Sequence, residues 1–208
     1  AQEVIRDLDF TNYILCNGAA GFLDHEQVYK NLLDREQLDA FVEEAHHEQI
    51  DTAFVSLDNI KRSSSNDVTV MEEAMHSFGA VLPELDQFFA EEQEIYQALA
   101  FFDQTYDGKF SSYDKIRFVR WHENSVDVVP QNGSKAATIL HLAEQVGIPH
   151  EDIISFGDGQ NDREMLRMSG IGIAMGNAVP EVQAEAKMVT DTNDQDGIWK
   201  ALKELSVI

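Results

Sequence analysis

An α/β fold, a doubly wound parallel sheet interrupted by an inserted α+β domain, is predicted by two features of the 208-residue sequence. After Pro130, short apolar strands alternate with helices, which is the rhythm of parallel βαβ units. Between about residues 33 and 130 that rhythm is lost, and strands and helices mix. The hydrophobic fraction of 43% supplies enough apolar side chain for packed cores.

The chain opens with helix-like spacing of Val4, Ile5 and Leu8. The apolar run Tyr13 to Cys16 predicts a strand that stops at the turn signal Asn17-Gly18. A hairpin follows, from Ala19 to Phe22 and from Val28 to Leu33, with a polar tip at Asp24-His25-Glu26. Asp34 is placed to cap an amphipathic helix reaching Gln49, with Leu38, Phe41, Val42 and Ala45 on one face. Thr52 to Leu57 predicts a strand, Lys61 to Asn66 a serine-rich loop, and Val68 to Phe78 a helix. Ile95 to Phe102, Ile116 to Trp121 and Ser125 to Val129 predict strands, the last two joined through His122-Glu123-Asn124.

Beyond Pro130, Ser134 caps a helix that ends at Gly147. The apolar segments Ile153 to Phe156, Ile171 to Ala174 and Met188 to Thr190 predict three more strands. Between and after them, Asn161 to Met168, Val179 to Ala186 and Gly197 to Leu205 predict helices. The domain boundaries that follow are residues 1–32 and 131–208 for the sheet domain and 33–130 for the insertion.

The formal net charge is −23, a field that repels nucleic acid and anionic membranes. It also repels phosphorylated ligands, so a phosphate site here needs a local cation. No apolar run has the length of a membrane span, and the first residues lack the pattern of a signal peptide. The single cysteine, Cys16, reads as a buried strand residue, and a cytoplasmic protein is the expectation.

The chemistry concentrates in Gly157-Asp158-Gly159-Gln160-Asn161-Asp162. Two carboxylates and an amide stand where a strand ends and a helix begins, the place where open α/β sheets bind ligands. The helix start offers backbone N–H groups to an anion, and the glycines let the backbone bend and approach a ligand. Asp158 is placed to hold a hard cation through oxygen, Asn161 to donate to a phosphate, and Asp162 to support the metal's waters or order the loop. A helix cap at Asp158 and a first-turn acid at Asp162 are the simpler alternative, but they leave the amide and the two glycines unexplained.

The second feature is Asn132-Gly133-Ser134-Lys135. If Ser134 is the N-cap, Lys135 sits in the first helical turn, where a cation opposes the helix dipole at a cost of roughly 0.3–1 kcal/mol. Neutralising a bound phosphate is the role this placement suggests. A solvated surface lysine is the alternative.

These segments resemble the fourth and third motifs of the haloacid dehalogenase superfamily, Cof-type phosphatase branch. Ile173-Ala174-Met175-Gly176-Asn177-Ala178 is similar to the segment that follows the fourth motif, and Asn17-Gly18-Ala19 to the turn after the third core strand. Thr190-Asp191 and Gly197-Ile198 also fit that branch. The resemblance implies a Rossmann-like core carrying an inserted cap domain. It further implies a Mg2+-dependent phosphoric monoester hydrolase that acts on a small phosphorylated metabolite through an aspartyl phosphate. Lys135, Asp158 and Asp162 would then be catalytic, Asp158 and Asp162 would serve the magnesium, and Lys135, Asn161 and Asn17 would contact the substrate.

The family's first motif, Asp-x-Asp-Gly-Thr, carries the nucleophile, and its second is a strand-ending threonine or serine. Neither has a match here. Asp7-Leu8-Asp9-Phe10-Thr11 nearly spells the first, but the residues before Asp7 are too polar for a central strand, and Phe10 stands where glycine is needed. By this resemblance the core is incomplete at the N-terminus, and two strands between the Tyr13 and Ile153 strands are absent. A remnant of that kind would expose ladder edges and self-associate. The alternative to a phosphatase is thus an inactive phosphate- or metal-binding fragment.

Overall fold

Helix α1 (Gln2–Asp7) leads into β1 (Tyr13–Leu15), β2 (Ala20–Leu23) and β3 (Glu26–Lys30) in a computed structural model that describes residues 2–208. β1 and β2 pair antiparallel, Tyr13 opposite Phe22, and these two rings stack with centroids 4.7 Å apart. The β2–β3 hairpin turns on Asp24 and His25, both at positive φ (49° and 66°), as a two-residue turn matched to strand twist requires. The near-match to the first motif lies at the end of α1, where Asp7 pairs with Arg6 and Asp9 takes a left-handed φ of 54°.

Cys16 is not a strand residue. It opens a 3-10 turn, Cys16–Gly18, at a φ of 51°. Burial nevertheless pushes its thiol up from 9.0 to about 11, which disfavours the reactive thiolate.

The described chain forms two compact units, residues 2–29 with Ser134–Ile208, and Lys30–Gly133. The second unit holds α2 (Arg35–His47), β4 (Asp51–Val55), β5 (Ile60–Arg62), α3 (Val68–His76), β6 (Glu84–Leu85), α4 (Phe89–Glu92), β7 (Gln97–Phe101), β8 (Ile116–His122) and β9 (Ser125–Pro130). Its six strands lie in the order β6-β5-β4-β7-β9-β8. Asp34 caps α2 by accepting from Gln37 N–H, as its position predicts.

Strand alternation sorts the apolar side chains to two faces. Phe54, Ala98, Ala100, Val126 and Val128 pack with Leu38, Phe41 and Ala45 of α2. Ala53, Leu99 and Phe101 pack with Met71, Ala74 and Met75 of α3. The serine-rich stretch is a loop only after Arg62, since β5 occupies Ile60–Arg62 and pairs with β4. Asp51, 2% exposed, organises that loop by accepting from Ser64 Oγ (2.6 Å), Asn66 N–H (2.9 Å) and Asp67 N–H (2.7 Å). Arg120 is spent on structure, donating to the carbonyls of Phe102, Asp103, His122 and Glu123.

The first unit continues with α5 (Lys135–Gln145), β10 (Ile154–Gly157), α6 (Arg163–Met168), β11 (Ile171–Ala174), α7 (Pro180–Gln183), β12 (Met188–Val189) and α8 (Gly197–Glu204). β10, β11 and β12 pair in parallel with Ile154 opposite Ile171 and Ile173 opposite Met188. This is the predicted α/β alternation, with a difference in extent. Among the described residues, β1–β3 and β10–β12 form two separate three-stranded sheets. The carboxyl ends of β10 and β11 lie side by side, Gly157 opposite Ala174, so the loops that leave them emerge together.

Two consequences are measurable. Phe41 is fully buried and meets Phe110 and Phe118 with ring centroids 5.1 and 5.0 Å away. Phe41→Ala is expected to cost about 3–5 kcal/mol in chemical denaturation, and a loss under about 1 kcal/mol would contradict that packing. The raised Cys16 pKa means the neutral thiol is favoured in the folded state. Its stabilising contribution is full below pH 9.0 and is lost as pH rises through about 11. A thiol reagent at about pH 8 should therefore label the folded protein at least tenfold more slowly than the unfolded one.

Candidate active site

The loop leaving β10 is folded around one side chain. Asp162, 7% exposed, turns back so that its Oδ2 accepts from Asp158 N–H (3.1 Å) and Gly159 N–H (3.0 Å). The two glycines make this possible in a way the sequence did not reveal. Neither has a positive φ; each clears space. A Cβ at Gly157 would come within 2.5 Å of Asp162 Cβ, and one at Gly159 within 2.6 Å of Asn161 Oδ1. The predicted helix start divides into a 3-10 turn, Gln160–Asp162, and then α6.

The other oxygen of Asp162 receives the lysine. Lys135 Nζ lies 2.7 Å from Asp162 Oδ1, with side chains 28% and 10% exposed respectively. Ser134 is the N-cap of α5, as expected: its Oγ accepts from Ala137 N–H (3.1 Å) and donates to Glu164 Oε2 (2.6 Å). The capped start of α5 is thereby tied to the first turn of α6, and Lys135 is held at a helix end where the dipole disfavours it. Asp162 supplies the opposite charge that offsets this, and partial burial strengthens the attraction.

The turn after β1 packs onto the same place. Gly18, at φ +95°, approaches α5 so closely that a Cβ would lie 2.8 Å from Ser134 O and 2.9 Å from Lys135 Cα. Thr138 Oγ1 donates to Gly18 O (2.6 Å). Asn17, in the left-handed region (φ 53°, ψ 31°), accepts at Oδ1 from Asn161 Nδ2 (3.1 Å).

All five residues singled out in the sequence thus meet within the first unit. Lys135 joins Asp162, Asp162 joins the backbone of Asp158, and Asn161 joins Asn17. Asp158 projects as an exposed carboxylate, its Oδ2 accepting from Asn177 Nδ2 (2.8 Å). Asn177 and Glu164 were missed as site residues. Asn177 could have been found from its place just past the end of β11, the strand beside β10. Glu164 carries no such signal, since a glutamate in a first helical turn is ordinary.

Among the described residues, no group of three or more His, Cys, Asp or Glu side chains could hold a metal ion. Magnesium does not require one: it keeps several waters and takes one or two carboxylates together with phosphate oxygens. The donor set fits such an ion through Asp158. Both oxygens of Asp162 accept from Lys135 or the backbone, which fixes the loop and the lysine. No helix among the described residues is long and apolar enough to cross a membrane.

Known proteins match nearly the whole length of the chain. The haloacid dehalogenase-like hydrolase family matches residues 1–202. The provisionally named phosphatase YkrA of Bacillus subtilis is 34% identical over 207 residues, taking in 100% of this chain and 80% of YkrA. A solved hypothetical protein of Geobacillus kaustophilus superposes with a TM-score of 0.89 at 37% identity, covering 100% of this chain and 81% of that one. The subclass IIB sugar phosphatase BT4131 superposes at 0.85 with 30% identity, covering 99% and 80%. The chain belongs to the haloacid dehalogenase-like hydrolase family, in the Cof-type branch whose third and fourth motifs its segments resemble.

Proposed function

We propose that the protein is a magnesium-dependent phosphatase that releases phosphate from a small phosphorylated metabolite through an aspartyl phosphate, whose aspartate would come from the family's first motif, unmatched in this sequence. The observation that carries this reading is the Lys135–Asp162 pair set beside the exposed carboxylate of Asp158. It sets a fixed cation beside an exposed carboxylate at the carboxyl end of a parallel strand. In a chain of net charge −23, a phosphate ester is drawn in only where positive charge is concentrated. Relatives support the substrate class. Besides the sugar phosphatase above, 5-amino-6-(5-phospho-D-ribitylamino)uracil phosphatase YitU of Bacillus subtilis is 39% identical over 84 residues, 40% of this chain.

In this reading Asp158 holds the magnesium, which when bound offsets the charge developing on the phosphoryl oxygens. Lys135 binds a phosphate oxygen, its ammonium aimed by Asp162. Asn161 presents its amide to a second oxygen and is itself oriented by Asn17. Neither loop aspartate is the nucleophile that attacks phosphorus. Asp162 is turned onto Lys135 and the loop backbone, and Asp158 serves the cation.

Three measurements test the reading. The full-length protein should release phosphate from p-nitrophenyl phosphate with magnesium, stop with EDTA, and resume when magnesium is restored. Asp158→Ala should lower kcat/KM by on the order of a thousandfold, and an undiminished mutant would defeat the assignment. Lys135→Ala should cost about a hundredfold to a thousandfold in kcat/KM. A change below about threefold would remove the lysine from the phosphate site.

A further inference from the structure

Asp158 is not left to find its own orientation. Its Oδ2 accepts from Asn177 Nδ2 at 2.8 Å, while Asn177 Oδ1 accepts from the backbone N–H of Asn193 at 3.3 Å. The second contact determines the first. A backbone N–H can only donate, so Asn177 must turn its carbonyl oxygen toward Asn193, which leaves its NH2 facing Asp158. That NH2 engages one carboxylate oxygen. Oδ1 has no donor among the described residues, so it is the oxygen left for a cation.

The segment supplying that N–H is itself anchored. Gly176 N–H donates to Asp191 O (3.1 Å), Thr190 Oγ1 donates to Gly197 O (2.8 Å), and Lys200 Nζ reaches Asp191 Oδ2 (2.5 Å). The β12–α8 connection is therefore fixed both to the end of β11 and to the start of α8, and Asn193 stands within it.

We propose that Asn177 is a positioning residue for the cation site. Held by the Asn193 N–H, it sets the Asp158 carboxylate so that Oδ1 faces the metal, and the β12–α8 turn thereby tunes metal affinity. This rests on the proposed role of Asp158 as metal ligand. Partners that orient a ligating carboxylate commonly contribute about tenfold or more to metal affinity.

The Asn193 N–H can be removed without removing the turn. Asn193 is the first residue of a 3-10 turn, and Thr192 before it is extended (φ −69°, ψ 163°). Proline tolerates the first helical position and demands an extended predecessor. Asn193→Pro thus deletes the donor, while Asn193→Ala deletes the side chain and keeps the donor.

The experiment is a titration of the full-length protein with Mn2+ alone, free ion being read by electron paramagnetic resonance, with thermal melting of each variant in parallel. Asn177→Ala and Asn193→Pro should weaken Mn2+ binding about tenfold, with Asn193→Ala near wild type. Asp158→Ala should bind far more weakly than any of them. Wild-type affinity in a folded Asn177→Ala, beside weak binding by Asp158→Ala, would overturn the positioning role and leave the metal ligand standing. Wild-type affinity in Asp158→Ala would overturn the metal assignment and this inference with it. If Asn193→Pro melts early, Asn177→Ala decides the matter.

Discussion

The pair between Lys135 and Asp162 is the contact on which the site depends. It joins the start of α5 to the loop after β10, two segments that the sequence separates by 27 residues. Lys135 sits where the helix dipole disfavours a cation, and Asp162 is mostly withdrawn from water, so each charge would be costly alone. The remaining geometry follows from holding them together. Gly157 must lack a side chain for Asp162 to fit. Asp162 must turn back to reach the lysine, and in doing so it gathers the N–H groups of Asp158 and Gly159. That leaves the Asp158 side chain pointing outward.

A second layer of amides carries the order outward from that pair. Asn161 meets Asn17, and Asn177 meets Asp158. Each is short and sits at a strand end or turn, where few rotamers need fixing. In the proposed site the charges are the binding groups, and neutral amides set direction without adding to a negative field that already opposes phosphate. The Ser134–Glu164 bond works in the same sense, locking α5 to α6 through a hydroxyl.

Much of this was legible in the sequence because the relevant signals are local. The N-caps Asp34 and Ser134, the apolar segments of β10 and β11, and the dense Gly157–Asp162 stretch all announce themselves within a few residues. What escaped depends on partners distant in the chain. β5 carries two cations in three residues and becomes a strand because β4 and β6 flank it. Asp51 is a buried acid made tolerable by donors 13 to 16 residues later. Asn177 owes its orientation to a backbone group 16 residues on. The glycines were identified correctly and explained incompletely, since the atoms they make room for belong to neighbouring side chains in the folded loop.

In the proposed function Asp158 and Lys135 define one site for a metal and a phosphate. A crystal structure of the full-length protein grown with magnesium and inorganic phosphate tests it most directly. The cation is expected on Asp158 Oδ1 and the anion within hydrogen-bonding distance of Lys135 Nζ and Asn161. Phosphate bound away from Lys135, or a cation held by carboxylates that exclude Asp158, would contradict it.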